Sequence, residues 1–165
     1  MGVRLLMIFV TLGTQDKQFR RLLEAVDKAI IEGKIKEKVV CQSGSTKYES
    51  KNMEIIDYMD EETFSNYLNK CDILITHGGV GTILSALQMG KKIIAAPRLS
   101  KYKEHVNDHQ LQIVDTFTKA KYILPLNNFD ELGKVIKQAK KFKPEKFVSQ
   151  RDNLIEKLED YIDKI

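Results

Sequence analysis

Apolar and polar positions alternate along this chain in short blocks whose period switches between that of a strand and that of a helix. Residues 5–12 form an apolar run with Ile and Val, the pattern of a strand buried on both faces. Gly13-Thr14-Gln15-Asp16 follows as a turn. Phe19, Leu22, Leu23, Val26 and Ile30 then recur at helical spacing, and Gly33 ends that helix. Residues 38–42 read as a second strand and residues 53–58 as a third, with the polar turn Ser43-Gly44-Ser45-Thr46 between them. Asp60-Glu61-Glu62-Thr63 opens a helix with acids in its first turn, and Phe64, Tyr67 and Leu68 form its buried stripe. Residues 72–76 are a fourth strand.

The second half repeats the pattern. A glycine-rich turn, residues 77–82, leads into a helix over 83–89, which Gly90 stops. Residues 92–96 are a fifth strand, ended by Pro97. Residues 98–108 are a polar, basic loop. A helix begins near His105 and continues through Leu111, Ile113, Val114 and Phe117. Residues 122–124 are a sixth strand and residues 130–141 a helix. Strands alternating with helices predict an α/β fold, a Rossmann-like parallel sheet with helices on both faces. Residues 140–145 are the candidate hinge. They divide a domain over residues 1–141 from a helical arm over 142–165, whose apolar stripe is Phe147, Leu154, Ile155, Leu158, Tyr161, Ile162 and Ile165. Such a stripe either docks on a partner as a helix in a groove or folds back on its own sheet.

Composition narrows the classes. The 165 residues are 42% hydrophobic and 30% charged, those of an ordinary globular chain. A net charge of +4, with 27 basic against 23 acidic residues, carries no aromatic-interleaved basic block, so nucleic acid is not the expected partner. It is compatible with attraction to an anionic membrane surface. Cys41 and Cys71 form no CxxC and read as small buried residues in a reducing compartment. No apolar run approaches the ~18 residues of a membrane span, and no signal-peptide core is seen. The expected location is cytoplasmic.

The chemistry concentrates in three loops at the carboxyl ends of predicted strands, where doubly wound sheets bind ligands. These are Gly13-Thr14-Gln15-Asp16, His77-Gly78-Gly79-Val80-Gly81-Thr82, and the loop closing with His105-Val106-Asn107-Asp108-His109-Gln110. All three histidines of the chain lie in the last two. A strand, a glycine turn and a helix start aim free N–H groups and the positive end of a helix dipole at one spot, which suits a phosphate. His77 either caps the sheet or donates to a diphosphate oxygen. Thr82 is a first-turn residue or a phosphate ligand. Arg98, Lys101 and Lys103 are either further anion ligands or a solvated basic loop. His105 and His109, four apart, could share one helical face. No third metal ligand accompanies them, HExxH and DxD are absent, and no metal or cofactor is expected. The first turn lacks GxGxxG and the second strand ends Gln42-Ser43, which argues against NAD. No Walker motif is present.

Val10-Thr11-Leu12-Gly13-Thr14, Ile56-Asp57-Tyr58-Met59, the residue 77–82 motif and Glu104-His105-Val106-Asn107-Asp108-His109-Gln110 together resemble the C-terminal domain of glycosyltransferase family 28, over about residues 6–125. Within it the chain is similar to the stand-alone PssE/EpsF-type subunits of polysaccharide synthesis, and to the cytosolic subunit of the dolichol-linked N-acetylglucosaminyltransferase. The resemblance implies the UDP-sugar-binding, C-terminal half of a GT-B enzyme. Its acceptor-binding half would be a separate, membrane-associated, PssD-like protein, holding this chain at the inner face of the membrane and serving a lipid-linked sugar acceptor. It implies that Gly13 and Thr14 approach the diphosphate and that the backbone around Ile56, Tyr58 and Met59 contacts uracil. It implies further that His77, Gly78, Gly79, Gly81 and Thr82 hold the phosphates, and that Asn107, Asp108, His109 and Gln110 face the sugar or ribose. His77 and His109 are the candidates for a catalytic role, with no residue assigned as base. MurG-like members carry a ribose-binding acid where this chain has Ser85. The expected activity is metal-independent, inverting transfer of a hexose from a UDP-sugar. The alternative is a non-catalytic UDP-sugar-binding or scaffold subunit that activates a partner transferase.

Overall fold

The computed structural model describes residues 6–147. Six strands lie in one parallel sheet: β1 (Met7–Thr11), β2 (Lys38–Gln42), β3 (Glu54–Ile56), β4 (Ile73–His77), β5 (Lys92–Ala96) and β6 (Leu124–Pro125). Four helices connect them, α1 (Arg20–Ile31), α2 (Glu61–Lys70), α3 (Val80–Gln88) and α4 (His109–Lys119), and α5 (Leu132–Lys141) follows β6. The strand order is β3-β2-β1-β4-β5-β6. This is the Rossmann-like α/β arrangement that the alternating pattern predicts.

Side chains of successive strand residues point to opposite faces, so each inner strand feeds two cores. Ile8 and Val10 of β1, Cys41 of β2, Ile75 of β4 and Ile94 of β5 pack on one face against α1 and α5, through Leu22, Leu23, Val26, Val135 and Ile136. Phe9, Val40, Leu74 and Ile93 pack on the other against α2, α3 and α4, through Leu68, Ile83, Ala86, Ile113 and Phe117. Burial on both faces is why these strands are apolar without alternation. Asp60 caps α2, its side chain accepting from Thr63 N at 2.7 Å.

Several boundaries differ from the sequence reading. α4 starts at His109, not near His105, so these two histidines do not share a helical face. A short 3₁₀ turn, Ser100–Tyr102, interrupts the preceding loop. β6 is shifted to Leu124–Pro125, and a second 3₁₀ turn, Phe129–Glu131, precedes α5. Residues 142–147 are not helical, and Phe147 packs edge-on to Tyr122 at 5.3 Å. The remainder of the expected helical arm, residues 148–165, lies outside the described residues. Among the described residues no helix is long and apolar enough to cross a membrane.

Candidate functional site

A cleft of about 550 Å³ opens at the carboxyl edge of the sheet. The chain turns to opposite sides of the sheet after β1 and β4, which are neighbours, and this is where parallel sheets of this kind leave a crevice. The β1–α1 side contributes Thr11, Gly13, Thr14 and Gln15. The β4–α3 side contributes His77, Gly79, Gly81 and Thr82. Gln42, Met59, Glu61 and Phe64 close the third side. Gly79 is the N-cap of α3, so Val80, Gly81 and Thr82 form its first turn, whose N–H groups lack intrahelical partners. The positive end of the α3 dipole therefore faces the cleft, and an anion there is stabilised by ~0.3–1 kcal/mol, or up to ~2 when partly buried.

His77 ends β4 with its ring packed between two glycines. A Cβ at Gly13 would lie 2.5 Å from its Nε2, and one at Gly79 only 2.2 Å from its Cε1. Both positions exclude any side chain, and at Gly13 the φ of +79° is also one that favours glycine. Inward, Nδ1 lies 3.1 Å from Gln110 Nε2. Burial, and then the nearby Arg98 guanidinium, push the His77 pKa down to about 4, so the ring is uncharged at neutral pH.

Behind this wall lies a charged frame. Arg98 is buried, contrary to one of its two readings, that of a solvated loop residue. It donates to the carbonyls of Leu12 at 2.6 Å and of Glu104 and Lys17 at 3.0 Å, and its guanidinium lies 4.9 Å over the Phe19 ring. Burial lowers its pKa to about 10, which still leaves it charged at pH 7. Glu104, also buried, takes a bidentate pair from Arg21 at 2.8 and 2.9 Å and accepts from Leu99 N at 3.0 Å. Arg21 in turn lies 3.8 Å over Phe129 and 4.3 Å over Tyr102. These contacts tie the β1–α1 loop to the loop after β5. Arg98 is therefore committed to three carbonyls, while Lys101 and Lys103 remain exposed.

The residues singled out by sequence divide into two groups. Gly13, Thr14, Met59, His77, Gly79, Gly81 and Thr82 line the cleft. Ile56, Tyr58, Gly78, Asn107, Asp108, His109 and Gln110 are not among its lining residues. Ile56 is a β3 residue packed against the second core. The exposed Tyr58 pairs its hydroxyl with Ser45 Oγ at 2.7 Å. Asp108 accepts from Ser100 N and Asn107 from His109 N, which fixes the loop before α4. His109 Nδ1 and Asn107 Nδ2 are buried without a hydrogen-bond partner. Thr11, Gln15, Gln42, Glu61 and Phe64 also line the cleft, without having been assigned a role in the site. The signal for two of them was present: Thr11 and Gln42 are polar ends of apolar strands, paired in register across β1 and β2. Among the described residues, no group of three or more His, Cys, Asp or Glu could hold a metal ion.

Residues 7–165 match the glycosyltransferase family 28 C-terminal domain. The chain belongs to that family. The match continues past the stretch of about residues 6–125 over which the sequence motifs carry the resemblance. A curated relative, the UDP-N-acetylglucosamine transferase subunit ALG13 of Candida albicans, is 25% identical over 108 residues, which are 66% of this chain and 35% of that protein. This family 28 domain thus spans about a third of the length of that relative. Among solved structures, the solution structure of an ALG13 superposes with a TM-score of 0.61 at 19% identity, covering 93% of this chain and 94% of that one. Acinetobacter baumannii MurG superposes with a TM-score of 0.59 at 14% identity, covering 84% of this chain and 42% of that one. At these identities the structures establish the fold, that of a GT-B glycosyltransferase domain.

Proposed function

We propose that this chain is the donor-binding, catalytic subunit of a two-component inverting glycosyltransferase. It takes a hexose from a UDP-sugar and delivers it to a lipid-linked acceptor in polysaccharide biosynthesis. The observation that carries this reading is the cleft, on which the α3 N-terminus, the Gly13–Thr14 turn and an uncharged His77 converge. Departure of UDP builds negative charge on the diphosphate, and preorganised N–H donors meet that charge without a metal. Met59 and Phe64 supply an apolar wall at the far side, suited to the uracil ring. Family membership and the likeness to a transferase subunit support the assignment to glycosyl transfer.

The acceptor and the general base come from elsewhere in this reading. The chain covers 42% of the MurG structure, and a separate membrane-associated subunit, PssD-like, completes the enzyme at the inner face of the membrane. Thermal unfolding against UDP, with UMP, GDP and NAD as controls, tests the donor site. UDP at ~100 times its dissociation constant adds about 2.7 kcal/mol of stability. The absence of any nucleotide shift, alone and in the co-expressed complex, overturns it.

One observation favours a second reading, a UDP-sugar-binding subunit that activates a partner without performing transfer. By the resemblance, Ser85 stands where MurG-like members carry a ribose-binding acid, and it is exposed and outside the cleft, where Glu61 is the only lining carboxylate among the described residues. Transfer by the reconstituted pair with His77→Ala or His109→Ala separates the two. Catalysis by this chain predicts loss of transfer with complex formation intact, whereas a scaffold leaves transfer unchanged.

A further inference from the structure

Gln110 is almost fully buried in the first turn of α4, and its side-chain amide has three neighbours. Its Oε1 lies 3.0 Å from the backbone N of Gly78 and 3.0 Å from the backbone N of Arg98. Both are obligatory donors, so the atom between them is the carbonyl oxygen, and both of its lone pairs are used. The orientation of the amide is thereby settled, and its NH₂ group is the end that lies 3.1 Å from His77 Nδ1. An NH₂ group only donates, so Nδ1 must accept. A proton on Nδ1 would face the amide hydrogens. A neutral imidazole has one proton, and it must then sit on Nε2, at the edge of the ring that lies against the cleft residues Gly13 and Gly79.

We propose that Gln110 is a positioning residue that holds the proton of His77 on Nε2, so that the ring offers the cleft a fixed N–H donor and no basic lone pair. The sequence resemblance assigns Gln110 to the sugar or ribose. The structure instead puts it behind the wall, where Gly78 leaves no room for a Cβ, which would fall 2.8 Å from Gln110 Cβ. His77 is consequently an electrophilic donor to a bound anion and not the base of a transfer step. That last role rests on the donor-site reading above; the tautomer does not.

Imidazole nitrogen spectra of the full chain labelled with ¹⁵N-histidine test this directly. Three histidines give three ring systems, assigned with single His→Ala variants, and Nε2 is recognised by its coupling to both ring protons. At pH 7.5 the expected His77 pattern is a protonated Nε2 and a lone pair on Nδ1. A protonated Nδ1, or an averaged mixture of tautomers, overturns the proposal without any variant. Gln110→Glu replaces the donor with a carboxylate of nearly the same shape, and Nδ1 is then expected to become protonated. An unchanged Nδ1 in a variant that keeps the wild-type amide spectrum also overturns the proposal. Gln110→Met, expected to give mixed tautomers, serves if the carboxylate prevents folding. Addition of UDP separates this inference from the functional one. A moving Nε2 resonance supports both, and an Nε2 in the correct tautomer that stays silent in the chain alone and in the co-expressed complex overturns the nucleotide reading while leaving the role of Gln110 in place.

Discussion

Buried His77 makes the fold acid-labile by an amount that can be worked out. Its folded pKa is about 4 and its ordinary value 6.5. The folded value is depressed, so between these limits the unfolded chain binds more protons, and stability rises with pH across the window and levels off above it. The whole displacement corresponds to about 3 kcal/mol. Between pH 7.5 and pH 5, a range that stops short of the folded value, the loss is about 2 kcal/mol. Asp27, Glu37 and Asp108 are held below their ordinary values of 3.8, 4.5 and 3.8, so their stabilisation is lost only as pH falls further. His105 is shifted in the same direction as His77 but remains in the variant, so it cancels in the comparison. Urea unfolding of wild type and His77→Gln at pH 7.5, 6 and 5 is the assay. Wild type should lose about 2 kcal/mol more than the variant on going to pH 5. Parallel losses in the two proteins would refute the reasoning, because they would mean that the folded ring takes up its proton as readily as an unfolded one.

Other expectations follow from single contacts. Gly79→Ala should cost about 1–3 kcal/mol in urea unfolding, because its Cβ would fall 2.2 Å from His77 Cε1. Gly81→Ala meets nothing within 4 Å and should leave stability equal or up to ~1 kcal/mol higher, while weakening UDP binding in calorimetry. Glu104→Ala strands Arg21 and the Leu99 N–H and should cost about 3 kcal/mol, whereas Lys101→Ala on the exposed loop should stay within ~0.5 kcal/mol. Cys41 and Cys71, pushed by burial up to about 12 and 11, should resist iodoacetamide in the native chain and react only on unfolding, as mass spectrometry would read.

Where a boundary is set by local chemistry, it was legible in the sequence. The observed bounds of β2 and β5, Lys38–Gln42 and Lys92–Ala96, coincide with the predicted ones because an apolar run is bordered by Lys on one side and a turn or Pro97 on the other. The start of α4 was not legible. Glu104 is drawn inward by Arg21, 83 residues away, and this long-range pair keeps His105 in the loop. Arg98 looks like any loop cation in a string of basic residues, and only the fold brings the Leu12 and Lys17 carbonyls to it. The glycine turns that line the cleft were visible as turns. Glu61 and Phe64 were not visible as cleft residues, because they arrive from α2 and the sequence carries no sign of which loops meet across the sheet.

The two outer strands of the sheet are its shortest, three residues in β3 and two in β6, and β6 ends in Pro125, which has no N–H to offer. Among the described residues, edges this brief give an incoming strand little to pair with, which disfavours growth of the sheet by another chain, productive or aggregating, at both ends. A polypeptide that joins this domain thus has side chains and loops, rather than strand edges, as its main recognition surface. That kind of recognition can be altered one residue at a time without disturbing the hydrogen-bond ladder beneath it.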